Sequence, residues 1–196
     1  MDELLPSIRH NLARLLRFEG RDTNRQFWPW AILIFIVQTV AGFLIVIPMM
    51  ANIMTRAIQI GAFDPKQGQP DPEIVAAQME SMMQESFADF DGLWLPLFIF
   101  QLVAILLLAA AVVRRLHDRD RSGWWGFIPL PFIVIGIFNI PLASDLMAGR
   151  PLTPLQSISL ALSYGYWIAL VVLVLLLVGK GDEGPNRFGP SPTAGT

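Results

Sequence analysis

The chain has 196 residues, 54% of them hydrophobic and 15% charged, with no cysteine. A soluble domain carries roughly a quarter charged residues, so the apolar excess, gathered in long blocks, points to a membrane. The missing cysteine excludes disulfides, thiolate zinc sites, iron–sulfur clusters and thiol nucleophiles, while a formal net charge of −2 hides a strong segregation of charge.

The first 26 residues contain "ELLPSIRHNLARLLRF", Glu3–Phe18. At helical spacing Leu4, Leu5, Ile8, Leu12, Leu15 and Leu16 fall on one side, with His10, Arg14 and Arg17 opposite. That pattern predicts an amphipathic helix lying on anionic headgroups. Packing on a partner or on the protein's own loops is the alternative.

Four blocks then reach the length of about 20 apolar residues that crosses a hydrocarbon core. They are Phe27–Met50, Leu93–Val113, Trp124–Ala143 and Ile158–Val178, and none contains Asp, Glu, Lys, Arg or His. The third is interrupted by Pro129, Pro131 and Pro141, which predicts a kinked span. The first follows 26 residues and is too long for the apolar region of a cleaved signal peptide.

Between the first two spans, residues 51–92 form an acidic outer loop. Within it "DPEIVAAQMESMMQESFADF" predicts a helix capped by Asp71 and Pro72. Its stripe of Val75, Met79, Met82, Met83, Phe87 and Phe90 either lies across the outer span ends or offers a methionine-rich surface to a partner. Residues 179–196 form a tail rich in Gly and Pro, expected to be irregular. The chain thus divides into a cytoplasmic segment (1–26), a four-helix membrane domain (27–178) and a cytoplasmic tail (179–196).

Basic residues set the direction of insertion. Arg9, Arg14, Arg17, Arg21, Arg25, Arg114, Arg115, Arg119, Arg121, Lys180 and Arg187 fall on one side; Arg56, Lys66 and Arg150 fall on the other. Both termini are therefore expected in the cytoplasm. Trp28, Trp30, Trp124 and Trp125 suit the inner interface and Trp94 the outer one. Trp167 lies well inside the fourth span, where its indole N–H is expected to face the bundle.

Catalytic signatures are missing. There is no HExxH and no GxSxG, "GKG" lacks the phosphate-loop spacing, and His117–Asp118 are adjacent and so do not face each other on a helix. The spans also lack the ionisable residues that ion-coupled transporters use. No catalytic residue, metal site or cofactor is expected, and nothing points to nucleic acid. Membrane lipid is the expected partner, with anionic headgroups, a protein partner or a second copy left open. "RQFWPW" and "RSGWWGF" both precede inward-facing spans, but insertion alone selects that arrangement, so no internal duplication is inferred.

Three segments carry a resemblance: "GRDTNRQFW" (20–28), "RRLHDRDRSGWW" (114–125) and "GPNRFGPSP" (184–192). They resemble the signatures of bacterial inner-membrane proteins called the domain of unknown function 805 family, written G-R-x-x-R-x-x-F-W, R-R-L-H-D-x-x-R-S-G-W-W and G-x-N-R-[FY]-G-x-x-P. The resemblance implies a multi-pass protein of the bacterial cytoplasmic membrane and brings no activity with it. All three segments fall on the cytoplasmic face of the expected topology. Arg21, Arg25, Arg114, Arg115, His117, Asp118, Arg121, Asn186 and Arg187 are therefore candidates for one polar cluster, with Arg114–Asp118 paired at i, i+4 and Ser122 capping the third span. Such a cluster is either structural, tying three segments together, or an anion site for a lipid headgroup or an acidic partner segment. A small transporter or channel component is the remaining alternative.

Overall fold

The computed structural model describes residues 3–59, 77, 81, 94–139 and 151–192. The described elements are all helical: α1 (Leu4–Ala13), α2 (Asn24–Gln59), α3 (Trp94–His117), a 3-10 turn (Gly123–Phe127), α4 (Leu130–Phe138) and α5 (Pro154–Val178). Among the described residues the one β-like feature is an isolated bridge between Asn186 and Gly189. Among the described residues, three helices are long and apolar enough to cross a membrane: α2, α3 over Phe98–His117, and α5. The outer-loop helix expected over residues 71–90 lies outside the described residues, apart from isolated positions 77 and 81.

Capping chemistry starts both α2 and α5. Thr23 and Gln26 exchange bonds, Gln26 Oε1 accepting from the Thr23 N–H at 2.9 Å and Thr23 Oγ1 from the Gln26 N–H at 3.4 Å. Thr153 and Gln156 repeat the box before α5, with Pro154 in the first turn. α2 is longer than the span expected from 27 to 50. It absorbs Pro48 and runs on through nine further residues that contain neither Gly nor Pro. At 36 residues it measures about 54 Å, well beyond a hydrocarbon core of about 30 Å. Thr39 and Thr55 return their hydroxyls to the carbonyls of Phe35 and Ala51, which leaves neither group unmet on an exposed face.

α3 also outruns expectation. The "RRLH" segment is its last turn, not a loop, and it ends in a Schellman motif. Asp120 takes the left-handed position at φ 49°, the Arg121 N–H bonds the Leu116 carbonyl, and the Asp120 N–H bonds the His117 carbonyl. Ser122 then caps the 3-10 turn, accepting from the Trp124 N–H, so it caps a tight turn and not the third span directly. Of that expected span, Trp124–Ala143, the turn and the nine-residue α4 are described; residues 140–143 are not. α4 packs along α5, where Gly165 lets the Phe132 ring approach the backbone.

The hydrophobic core is small and sits at one end. Phe27, Trp30 and Ile34 from α2, Ala104, Ala111 and Leu116 from α3, and Leu173 and Leu177 from α5 form it. In the most apolar window of each helix, 39% of α3 is buried against 12% of α2 and 17% of α5, so α3 is the central helix. Two aromatic expectations fail here. Trp30 is buried and donates its indole N–H to the Leu107 carbonyl at 3.1 Å, because the core closes around it. Trp167 is 63% exposed, because the buried stripe of α5 is Ala169, Leu173 and Leu177, on another face.

The N-terminal helix is shorter than the expected Glu3–Phe18, because the carbonyls of Arg14 and Arg17 turn away to meet Arg114. It packs on α2 through its polar side. Ser7 and Asn11 are buried and both donate to the Gln26 carbonyl, at 2.6 and 2.8 Å. Ile8 and Leu15 pack on the core, whereas Leu5, Leu12 and Leu16 remain exposed.

Candidate functional site

The start of α2, the end of α3 and the end of α5 meet at the core end, and there the charge is buried. Arg21, Asp22, Arg114, Arg115 and Asp118 are all 5% exposed or less. Isolated buried charge is very costly unless paired and hydrogen-bonded. Here both conditions hold, and among the described residues no buried side-chain nitrogen or oxygen lacks a partner.

Neighbouring arginines diverge because successive helical residues point about 100° apart. Arg114 turns to the N-terminal segment. Its Nε donates to Asp22 Oδ2 at 2.8 Å, Nη1 to the carbonyls of Arg14 and Arg17, and Nη2 to Asn11 Oδ1 at 2.8 Å. Asp22 is fully buried, and its other oxygen accepts from His10 Nε2 at 2.8 Å. The Asp22 N–H donates to the Arg114 carbonyl, closing the joint through the backbone.

Arg115 turns the other way. Its Nε donates to the Leu177 carbonyl at 3.0 Å, Nη1 to Asp118 Oδ2 and the Asp22 carbonyl, and Nη2 to the Gly179 carbonyl. Arg21 completes this side. Its Nε donates to Asp118 Oδ1, Nη1 to the carbonyls of Gly184 and Gly189, and Nη2 to those of Asp118 and Asp182. Burial pushes the Asp118 carboxyl upward from its ordinary range, while Arg115 and Arg21 pull it back.

Helix ends explain why arginine dominates. The last carbonyls of a helix have no partner within it and carry the negative end of its dipole. Arg114 meets those that follow α1, while Arg115 and Arg119 meet Leu175, Leu176, Leu177 and Gly179 at the end of α5. The three buried guanidiniums outnumber the two buried carboxylates, and these carbonyls supply the balance.

The tail is held by its motif residues. Asn186 Nδ2 donates to the His117 carbonyl at 2.9 Å, and Phe188 stacks on the His117 ring at 3.8 Å between centroids. The other face of the joint is backbone: the Asp182 N–H donates to the Asp118 carbonyl at 2.8 Å. Gly179 and Gly181 let the chain pass close to these groups: a methyl group at Gly181 would overlap the Asp118 carboxylate, and one at Gly179 would displace the Arg119 guanidinium.

The expected cluster is therefore partly assembled. Arg21, Arg114, Arg115, His117, Asp118 and Asn186 come together. Arg25 does not: it is exposed and pairs with Glu3 at 3.3 Å, because it lies on the outer side of the first turn of α2. Arg121 is exposed, and Arg187 pairs at the surface with Asp120 at 3.1 Å. The i, i+4 pair Arg114–Asp118 is replaced by Arg115–Asp118 at i, i+3 and Arg114–Asp22. Asp22, His10, Asn11 and Arg119 are members that spacing along the sequence did not reveal. Asp22 sits inside the "GRDTNRQFW" segment, which was the available signal.

Described residues that are helical throughout, three helices among them capable of crossing a membrane, and a buried arginine–aspartate joint at one end have the character of a multi-pass membrane protein. The family described as "Protein of unknown function (DUF805)" matches residues 15–190, and the chain belongs to that family. No curated protein and no solved structure matches it.

Proposed function

We propose that this chain is a non-enzymatic, four-span protein of the bacterial cytoplasmic membrane, with both termini in the cytoplasm and the arginine–aspartate joint as its structural clasp. One observation carries the topology. α2 starts at the clasp, whereas α3 and α5 both end there, which supports a return of the chain to the far side between His117 and Pro154. The apolar 3-10 turn and α4, packed on α5, supply the described part of that return. The eleven-to-three division of basic residues supports the clasp end as the cytoplasmic one.

Saturation supports the structural role. Every N–H of the Arg21 guanidinium is engaged, and all but one in Arg114 and in Arg115. An anion would have to displace protein carbonyls to bind. Lipid is the partner of this reading. The exposed Leu5, Leu12 and Leu16 of α1 suit the inner leaflet, the helix being tied to the bundle by its polar face.

The natural chain has no cysteine, so any introduced thiol reports alone. Gln69→Cys should react with an impermeant maleimide in intact cells, and Lys180→Cys should react only after lysis. Labelling of Lys180→Cys in intact cells would reverse or abolish this topology.

A further inference from the structure

The surplus positive charge of the clasp is not spread evenly. On the N-terminal side Arg114 faces Asp22, one charge against one. On the tail side Arg21 and Arg115 share a single carboxylate, Asp118. The other partners on this side are neutral: the carbonyls of Asp22, Asp118 and Leu177, which belong to the helix ends, and four more, those of Gly179, Asp182, Gly184 and Gly189, from the segment after α5. Two guanidinium edges surrounded by converging lone oxygens have the donor geometry that suits a phosphoryl group.

The segment that supplies those oxygens is the least built part of the site. Its regular structure is the single bridge Asn186–Gly189, and it is rich in Gly and Pro. Lys180 and Glu183 are both 89% exposed in their side chains. Apart from Phe188 on His117 it adds nothing to the hydrophobic core, and a segment held mainly by hydrogen bonds belongs to the low-stability end of a fold. When it opens, Arg21 and Arg115 lose these four acceptors while keeping Asp118, and the N-terminal joint at Arg114 loses nothing. This asymmetry rests on the reading of the clasp as structural, with the Arg114 joint as its permanent part.

We infer that the tail, residues 179–189, is a strap over an oxyanion site, and that Arg21 and Arg115 bind a phosphate group, free or on a lipid headgroup, when the strap lifts. The tail carbonyls and the phosphate oxygens compete for the same N–H groups. Binding of one must therefore weaken the other by the same factor.

The test uses the full chain in neutral detergent, with inorganic phosphate as the probe and chloride at matched ionic strength as the control. Phosphate should speed trypsin cleavage after Lys180 and Arg187 several-fold, because it holds the strap open. No change, or protection, would overturn the proposal. Asn186→Ala with Phe188→Ala loosens the strap without removing it, and should bind phosphate about tenfold more tightly than the natural chain by calorimetry. Adding Arg21→Gln should abolish that gain; a gain that survives it places the anion elsewhere and ends the idea. Repeating the titration in bilayers of phosphatidylglycerol and of phosphatidylcholine separates the sources. Retention of phosphatidylglycerol by the loosened variant assigns the headgroup, and phosphate binding that both bilayers leave unchanged assigns a free anion. Loss of thermal stability in Arg114 variants is read separately, so failure of the clasp reading is not mistaken for failure of this one.

Discussion

Arg114 and Arg115 are adjacent, chemically identical and equally buried, yet their surroundings differ in kind. Arg114 closes a joint made of side chains and a charge pair: Asp22, Asn11 and two carbonyls beyond α1. Arg115 closes one made mainly of carbonyls, with Asp118 shared with Arg21. A buried ion pair is strongly destabilised when one partner is removed, because the other is left uncompensated. A carbonyl in a glycine-rich segment can move away instead. Burial alone does not rank the two residues; the stiffness of their partners does.

Breaking the Arg114 joint should therefore have the largest effect. Asp22→Asn leaves Arg114 buried without its countercharge and is expected to cost about 3–5 kcal/mol, read as a lowered melting temperature in detergent. Combining Asp22→Leu with Arg114→Met should recover part of the loss, since neither charge then needs a partner.

Arg115→Lys comes next, at about 1–3 kcal/mol for the acceptors it leaves unmet, since an ammonium cannot span Leu177, Gly179 and Asp118 together. Its sharper signature is spatial. Amide hydrogen exchange should rise in residues 179–189 and stay unchanged in α1. Equal loosening of both would erase the distinction between the joints.

Gly181→Ala probes the tail side without removing a charge. The added methyl group overlaps the Asp118 carboxylate, so either that side chain or the tail must shift, at about 1–3 kcal/mol for overpacking. Limited proteolysis should release the tail while the remaining helices stay protected. Smallest of all is Arg25→Ala. It removes a solvent-exposed pair with Glu3, and the melting temperature should stay within measurement error. A large drop would mean that Arg25 belongs to the clasp after all.

Periodicity and composition carried the helices well where the physics is local. Apolar length marked α2, α3 and α5, and the three arginine-bearing segments marked the end at which they meet. Pairing inside the clasp was less legible. A helical i, i+4 rule favours Arg114–Asp118, but it cannot weigh that pair against Asp22, 92 residues away and fully buried. Leucine periodicity gave α1 an amphipathic face, yet not its early stop at Ala13, which depends on carbonyls claimed by Arg114. Trp167 misled for a related reason: an indole N–H predicts a need for a partner, not the side on which α5 packs.

The reach of Arg21 along the chain bears on biogenesis. Its partners lie 97 to 168 residues downstream, so the donors wait through synthesis of every span before the last acceptor emerges. Contacts of such high contact order form late. A chain that stops short of the tail would leave these guanidiniums without most of their acceptors. The joint between Arg21 and the tail can therefore close only after the helices that frame it have been made.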